Sequence, residues 1–393
     1  MAEPRFDVVL HGASGFTGAL TAEYLAGHAP AGTRWALAGR NRDKLAAVRR
    51  RLAERNPACA ELELLHADAG DPASLRAIAE AAKVVVTTVG PYIRYGEALV
   101  AACAEAGTTY VDLSGEPEFV DLMWLRYHER AQATGARLVH SCGFDAIPSD
   151  LGALFAVEHL PEGVPIKLEG FVRMGGGMSG GTYASTIEAM GRVRQTLTTA
   201  QQRAQRERER PARPSDRRVK GVPGLPHRDP AAGGWVVPVP TIDPQTVLRS
   251  ARALDRYGPD FSYSHYMVVK HLPVLAGLAA GATGALALAQ LPPARKALLQ
   301  LRPSGSGPSP ERRAKAWFRV RMVGRGGGKR VVAQVSGGDP GYGETSKMLA
   351  ESALCLAHDA LPARAGQLTP AVAMGDALIG RLRRAGIEFQ VLE

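Results

Sequence analysis

The feature that most constrains the fold of this chain is a short apolar stretch followed at once by three evenly spaced glycines. Residues 6–10 are typical of a buried β-strand, Gly12, Gly15 and Gly18 come next, and an alanine-containing helical pattern follows. This order presents free backbone amides and the positive end of a helix dipole to a phosphate. It predicts that a dinucleotide pyrophosphate binds at the start of the helix, on a loop composed of Gly12, Ser14, Gly15, Phe16, Thr17 and Gly18. The spacing departs from the more usual G-x-G-x-x-G, so a glycine-rich loop that binds nothing is the alternative.

The end of the second strand indicates which dinucleotide is bound. Residues 34–39 form that predicted strand, and Arg40 follows where an NAD-binding domain would carry an acidic residue for the ribose 2′-hydroxyl. A carboxylate there would repel a 2′-phosphate, whereas a guanidinium binds it in a fork geometry. The sequence therefore predicts NADP(H), with Arg40 on the 2′-phosphate and Asn41 or Arg42 beside it. A solvated loop arginine is the alternative.

Four further strand patterns alternate with helical patterns, as a doubly wound parallel sheet requires. They cover residues 62–68, 83–92, 108–112 and 136–140. Ligands of such sheets bind outside the carboxyl ends of the strands. The loops that follow the third, fourth and sixth strands are therefore expected to contact the cofactor. The predicted contacts are Asp68 near the adenine, Val89, Gly90 and Pro91 at the nicotinamide ribose, and Cys142, Gly143 and Phe144 at the nicotinamide end.

The chain is long enough for two domains, and its patterns divide it into three regions. Residues 1–160 form the predicted NADP-binding α/β domain, a Rossmann doubly wound parallel sheet. Residues 161–340 contain a strand pattern at 166–174 and a hairpin pattern at 316–336, which predict a second, α+β domain for the substrate. Residues 341–393 are expected to pack back on the Rossmann domain.

Positive charge is concentrated in two blocks of this chain, whose formal net charge is +10. Residues 192–220 contain ten Arg or Lys against three acidic residues, and residues 311–330 contain eight against one. Such blocks suit an anionic membrane or an acidic carrier protein, with a solvated surface as the alternative. Nucleic acid is disfavoured because no aromatic residues interleave the first block. The composition of residues 206–234 predicts a mobile basic insertion.

One apolar segment, residues 272–291, contains no charged residue. Its length is just enough to span a bilayer. However, Pro273, Thr283 and Gln290 weaken insertion, and its glycines suit close helix packing equally well. Three roles stay open for it: association with a membrane or lipid surface, lining of an apolar substrate tunnel, and a core helix.

The cysteines are scattered and include no C-x-x-C pair: Cys59, Cys103, Cys142 and Cys355. They predict neither a disulfide framework nor a metal site, and they suit a reducing compartment. No signal-peptide pattern precedes the first strand. We therefore expect a cytoplasmic protein, either free or peripheral to the plasma membrane, and either monomeric or a homodimer.

Three phrases occur together with the glycine loop: YVDLSGE at 110–116, CGFDAIPSD at 142–150 and GDPGYGET at 338–345. With them the chain resembles the saccharopine dehydrogenase-like oxidoreductases, and within these the trans-acting enoyl reductase branch, which includes enzymes of mycobacterial phthiocerol and phenolic glycolipid assembly. The resemblance extends over nearly the whole chain. It implies that NADPH reduces an α,β-unsaturated acyl chain that a polyketide synthase delivers on an acyl carrier, in polyketide and lipid biosynthesis.

Such a reduction needs a proton donor and groups that stabilise a developing oxyanion. The backbone amides of residues 142–145 are expected to serve the oxyanion. The candidate proton donors are Tyr92, Tyr183 and Cys142. Each tyrosine could instead be a packed residue with a satisfied hydroxyl, and Cys142 a small buried residue. Asp145 and Asp150 are expected to cap the following turn and helix.

Two other functions stay open at the level of sequence. One is a saccharopine dehydrogenase-like amino-acid oxidoreductase, but that substrate carries several carboxylates and the expected cluster of cleft arginines is missing from the pattern. The other is a non-catalytic NADPH-binding protein at a lipid surface.

Overall fold

In the computed structural model, the chain folds around two β-sheets joined by a shared core. The structure describes residues 3–176, 180–210, 217–230, 232–239, 241–270, 272–301 and 307–393. The strands are β1 (Phe6–His11), β2 (Trp35–Gly39), β3 (Glu63–His66), β4 (Ala82–Thr87), β5 (Thr109–Val111), β6 (Arg137–Val139), β7 (Ile166–Gly175), β8 (Arg218–Gly221), β9 (His227–Asp229), β10 (Gly234–Pro238), β11 (Asp260–Val269), β12 (Trp317–Gly326), β13 (Lys329–Gly337), β14 (Gly366–Leu368) and β15 (Glu388–Val391).

The helices flank both sheets and connect their strands. They are α1 (Phe16–His28), α2 (Arg42–Arg55), α3 (Pro72–Ala81), α4 (Tyr92–Tyr95), α5 (Glu97–Ala106), α6 (Pro117–Thr134), α7 (Ile147–Glu158), α8 (Gly180–Met190), α9 (Val193–Arg208), α10 (Asp243–Ala253), α11 (Leu272–Ala289), α12 (Pro292–Gln300), α13 (Pro310–Ala314), α14 (Gly343–His358), α15 (Pro370–Ala373) and α16 (Gly375–Arg384). Local signals set several ends. Asn41 caps α2, and α5 and α6 end at glycines with positive φ, Gly107 and Gly135.

The first sheet is parallel throughout, in the order β14-β6-β5-β4-β1-β2-β3. Its central strands are buried on both faces, which explains why they read as near-continuous runs of Val, Leu and Ala. The predicted α/β Rossmann class is confirmed. The seventh strand, β14, was not predicted: it comes from the C-terminal region and pairs with β6.

The second sheet is mixed, in the order β15-β13-β12-β7-β11-β10-β9, with β8 paired to β11. The predicted hairpin is β12 and β13, which pair antiparallel from Phe318 opposite Gly337 to Gly326 opposite Lys329. β15 joins this sheet beside β13. The C-terminal region therefore does not pack only on the Rossmann domain, because β14 enters the first sheet and β15 enters the second.

A single apolar core connects the two sheets through α7. Every residue of this helix from Ile147 to Val157 is buried, and the helix packs against β12 and β13. The same cluster of buried side chains includes Leu10 of the first sheet and Val320 of the second. Since α14 lies against α1 and β4, it closes the same face of the first sheet. The carboxyl ends of the parallel strands are thereby brought beside the second sheet.

The connecting segments after β7 contain more regular structure than the patterns predict. Two helices, α8 and α9, follow β7 and are separated near Gly191. The region 206–234 contains the end of α9 and the strands β8 and β9, which join the second sheet; its residues 211–216 and 231 lie outside the described residues. In the segment 272–291, α11 is followed by α12 and contacts α8. Within the described ranges, no helix has the length and hydropathy that a membrane crossing requires.

Candidate cofactor and active site

The glycine loop between β1 and α1 packs so closely against its neighbours that side chains at Gly12 and Gly18 would collide with them. Gly12 has a φ of +85°, and a Cβ placed on it would lie 2.7 Å from Cγ2 of Val89. A Cβ on Gly18 would overlap the carbonyl oxygen of Gly12. The loop after β4 therefore lies directly against the loop after β1, as the predicted cofactor contacts require.

The first turn of α1 is open to an anion. Gly15 is the residue before the helix, no side chain caps the turn, and no acidic residue lies in it. Ser14 and Gly15 are exposed. The first amides of a helix have no partner within the helix, so this turn offers its N–H groups and the positive end of the dipole to a phosphate. These features fit a dinucleotide pyrophosphate.

Phe16 at the start of α1 is covered from the second part of the chain. Its ring meets that of Tyr342 edge-on at 4.6 Å between centroids, and the Arg313 guanidinium lies 5.9 Å from it. Tyr342 belongs to the GDPGYGET phrase. The phrase therefore lies beside the pyrophosphate loop, and Arg313 brings positive charge to the same end of the helix.

The residues predicted for the adenosine end lie at the carboxyl ends of β2 and β3. Arg40 is exposed and has no hydrogen bond or ion pair with any residue that the structure describes. Asn41 caps α2, accepting from the Lys44 amide at 2.9 Å. Asp68 accepts from the Gly70 amide at 2.9 Å within its own turn. Arg40 thus remains the predicted ligand of the 2′-phosphate, whereas Asn41 and Asp68 have local structural roles beside any cofactor contact.

A buried network fixes the loop after β6. Asp112, fully buried after β5, accepts from the hydroxyl of Tyr110 at 2.9 Å and from the amide of Ser141 at 3.0 Å, and its carboxylate lies 2.7 Å from Nδ1 of His140. Ser141 has a φ of +62°, which is uncommon for a residue with a side chain. The amide of Cys142 then donates to the carbonyl of Asp112 at 2.7 Å. Sequence reasoning did not single out Asp112, although it lies in the YVDLSGE phrase.

The predicted oxyanion donors are only partly available. The amides of Cys142 and Phe144 donate to the Asp112 carbonyl and to the Thr345 hydroxyl, the latter at 3.1 Å. The amides of Gly143 and Asp145 have no hydrogen bond within the described part of the chain. A Cβ on Gly143 would lie 2.7 Å from Cδ2 of Leu113, so the loop packs closely against its neighbours.

The three predicted proton donors are engaged elsewhere. The Tyr92 hydroxyl donates to the Thr87 carbonyl at 3.1 Å and accepts from the Leu113 amide at 3.2 Å, and burial raises its pKa well above the usual value. The Tyr183 hydroxyl donates to the Leu298 carbonyl at 3.0 Å. Cys142 is fully buried, which raises the pKa of its thiol well above the usual value. The geometry thus favours the packing alternative for all three.

Asp145 differs from the expectation that it caps the next turn. Its side chain is half-buried and makes no hydrogen bond with the described residues, and α7 begins without a side-chain cap. Burial, followed by the nearby carboxylates of Asp243, Glu116 and Asp112, raises its pKa to about 7. Asp150 does cap a helix, but a different one: it accepts from the amide of Ala371 at the start of α15 at 2.8 Å.

Glu116, directly before α6, is a charged neighbour of Asp145 at the junction of the two sheets. Its two carboxylate oxygens accept from the amides of Tyr92 and Ile93 at 2.9 and 2.8 Å, and from the hydroxyl of Ser185 on α8 at 2.7 Å. Burial raises its pKa above the usual value. The described residues contain no group of three or more His, Cys, Asp or Glu side chains arranged to hold a metal ion. The junction is therefore acidic and is built from both parts of the chain.

Comparison with known proteins agrees with this geometry. The model of the saccharopine dehydrogenase NADP-binding domain matches residues 8–139, which contain the glycine loop and β1–β6. A Mycobacterium tuberculosis protein, named provisionally as a trans-acting enoyl reductase, is 40% identical over 99% of this chain and 98% of its own length. The chain belongs to the saccharopine dehydrogenase-like oxidoreductases. Within this family it falls in the trans-acting enoyl reductase branch, and it binds NADP(H).

Further relatives and a solved structure extend the match to the whole chain. Proteins named trans-acting enoyl reductase from Mycobacterium bovis and Mycobacterium ulcerans are 37% and 36% identical, each over 98% of this chain and 97% of its own length. The apo saccharopine dehydrogenase (L-Glu forming) of Saccharomyces cerevisiae superposes with a TM-score of 0.54 over 98% of this chain and 99% of its own, at 11% identity. At that identity the likeness shows the family fold alone.

Proposed function

We propose that this oxidoreductase is an NADPH-dependent trans-acting enoyl reductase, which reduces the carbon–carbon double bond of an α,β-unsaturated acyl chain bound to a carrier. The observation that carries the proposal is the similarity to relatives of that name over nearly the full length of both chains. The acidic junction adds support. The carboxylates of Glu116 and Asp243 would repel a substrate with several carboxylates, which disfavours the saccharopine-type alternative.

The chemistry assigns distinct tasks to the two halves of the site. Bound NADPH supplies the hydride. The glycine loop and the first turn of α1 bind its pyrophosphate, and the loops after β4 and β6 border its nicotinamide. The amides of Gly143 and Asp145 are the loop donors left to stabilise negative charge on the thioester oxygen. Precise placement of the double bond against the nicotinamide then provides a large part of the rate enhancement.

The acyl chain would arrive on a carrier protein of a polyketide synthase. In support, α9 exposes two arginines and two large apolar side chains on one side of the helix: Arg194, Arg208, Val193 and Leu197. Such a face suits an acidic partner at moderate ionic strength. Exposed leucines on and after α11 (Leu286, Leu288 and Leu291) are a second apolar surface, which is where contact with a lipid-like substrate or a lipid surface would occur.

The direct experiment measures oxidation of NADPH with trans-2-enoyl thioesters of medium and long chain length, presented on a pantetheine carrier. NADH and saccharopine-pathway substrates serve as controls. Oxidation that depends on the thioester supports the proposal. Oxidation only with an amino acid and an oxo acid would replace it with the amino-acid alternative. Tight NADPH binding without oxidation of any substrate would favour the non-catalytic alternative.

A further inference from the structure

Asp145 lies on the loop after β6, next to the residues predicted to contact the nicotinamide. It follows β6, on the edge of the first sheet that holds the predicted nicotinamide contacts, and its carboxyl lies against Gly115, where an added Cβ would be 3.3 Å away. Asp243, at the start of α10, approaches from the second part of the chain. Asp145 is half-buried, so part of its surface remains accessible.

Asp145 differs from the acidic residues around it because it accepts no hydrogen bond from the described residues. Its acidic neighbours are all held by donors: Asp112 by Tyr110 and two backbone amides, Glu116 by two amides and Ser185, and Asp243 by the hydroxyl of Ser149 at 2.6 Å. Among the described residues, none donates to Asp145. Its hydrogen-bonding capacity is therefore available to a bound molecule.

The charges that face Asp145 favour its neutral form. The carboxylates of Asp243, Glu116 and Asp112 surround it, and His265, which lies 3.8 Å from the carboxylate of Asp243, has its pKa lowered by burial and is neutral near pH 7. Burial and like charge together raise the pKa of Asp145 to about 7. A carboxyl group that retains its proton near neutral pH can act as a general acid.

We propose that Asp145 is the proton donor of the reduction, an inference that rests on the proposed function. The hydride leaves NADPH and forms a bond to the β-carbon, the π electrons of the double bond move to give the thioester enolate, and the O–H bond of Asp145 breaks to place its proton on the α-carbon. NADPH is oxidised to NADP⁺ and the acyl chain is reduced by two electrons. Solvent then returns a proton to the carboxylate.

This assignment has a consequence for cofactor binding that does not require turnover. The oxidised nicotinamide is cationic and the reduced one is neutral, so ionised Asp145 stabilises NADP⁺ and not NADPH. The ratio of NADP⁺ affinity to NADPH affinity therefore rises with pH as Asp145 loses its proton. The 2′-phosphate is common to both forms and cancels from this ratio.

The test compares the full-length protein with Asp145→Asn, Asp243→Asn and Asp150→Asn. Asp145→Asn is expected to lower kcat by about 100- to 10,000-fold, to leave NADPH affinity nearly unchanged, and to remove the fall in activity at high pH. Asp243→Asn removes a neighbouring negative charge, so that fall moves to lower pH. Asp150 has a similarly raised pKa but is bonded inside the protein, so its variant is the matched control and keeps the wild-type profile.

A second readout uses cofactor binding alone. In the wild type we expect the affinity ratio to rise roughly tenfold from about pH 6 to about pH 8, and in Asp145→Asn we expect it to stay flat. Wild-type kcat and pH profile in Asp145→Asn would overturn the assignment. If the wild-type protein reduces no enoyl thioester, the proposed function fails and the acid role fails with it; the ratio then reports separately whether Asp145 faces the nicotinamide.

Discussion

Two glycines of α1 differ completely in what surrounds them, and this difference gives a matched pair of variants. Gly18→Ala would push a methyl group into the carbonyl of Gly12, so we expect loss of NADPH binding and a lower melting temperature. Gly27 lies on the same helix, but a methyl group added there would meet no neighbouring side chain or element within 4 Å. Gly27→Ala should therefore raise the free energy of unfolding by about 0.5–1 kcal/mol and leave NADPH binding intact. Calorimetric titration with NADPH and thermal melts check both. Normal NADPH affinity in Gly18→Ala would contradict the placement of the cofactor.

Arg40 is the residue whose charge should decide the choice between NADPH and NADH. Its side chain is exposed and unpaired within the described residues, so Arg40→Asp removes a ligand of the 2′-phosphate and disturbs little else. We expect NADPH affinity to fall by about 10- to 100-fold and NADH affinity to change little. Arg50→Asp, an exposed change on α2 beyond the loop, controls for net charge. An equal loss of affinity for NADPH and NADH would show that Arg40 does not bind the 2′-phosphate.

At the scale of elements, Glu116 connects three helices at the junction of the two sheets. It precedes α6, accepts from the first amides of α4, and receives the hydroxyl of Ser185 from α8. Glu116→Ala leaves two buried amides without an acceptor, so we expect the free energy of unfolding to fall by about 1–3 kcal/mol. Ser185→Ala removes one bond and should cost about 1 kcal/mol.

The control for this pair is an acid on the surface. Glu105 forms an exposed ion pair with Arg130, and Glu105→Ala should change the free energy of unfolding by less than about 1 kcal/mol. Chemical denaturation of the three variants separates these expectations. If Glu116→Ala were no more destabilising than Glu105→Ala, the connecting role of Glu116 would be wrong.

The strands also show which elements can be predicted from local sequence patterns and which cannot. β2, β3, β5 and β6 lie within the predicted stretches, and β1 and β4 each extend one residue beyond theirs, because each strand carries its own apolar run and is bounded by a turn or a helix start. β9 to β11 were not predicted. Residues 260–263 of β11 alternate in burial but residues 263–266 are buried without a break, and the strand pairs with β7, β8 and β10. Its pairing depends on residues distant in the sequence.

At the scale of the whole molecule, the continuous core through α7 predicts that both sheets unfold together. Side chains of both sheets and of α7 belong to one buried cluster, so neither sheet keeps a complete core without the other. Differential scanning calorimetry should show one transition. NADPH at a hundred times its dissociation constant should stabilise the whole molecule by about 2.7 kcal/mol. Two transitions, of which NADPH raises the temperature of only one, would contradict this prediction. Gly18→Ala is the control, because NADPH should not raise its transition temperature.

Features that depend only on neighbouring residues were predictable from the sequence. The order of strands and helices in the Rossmann domain, the glycine positions at the start of α1, and the absence of an acid after β2 can all be read within short windows, because backbone conformation and helix starts are set locally. The phrases that carry the family resemblance are local in the same sense. These are the predictions that the fold and the family comparison confirmed.

Tertiary structure alone decided which side chains are free to react. The hydroxyls of Tyr92 and Tyr183 and the thiol of Cys142 were reasonable candidates by position, but hydrogen bonds and burial engage them. Asp145 acquires its distinct character from Glu116 and Asp243, a carboxylate from each part of the chain. Desolvation and charge interactions depend on distance in space, and the sequence does not record which distant residues meet.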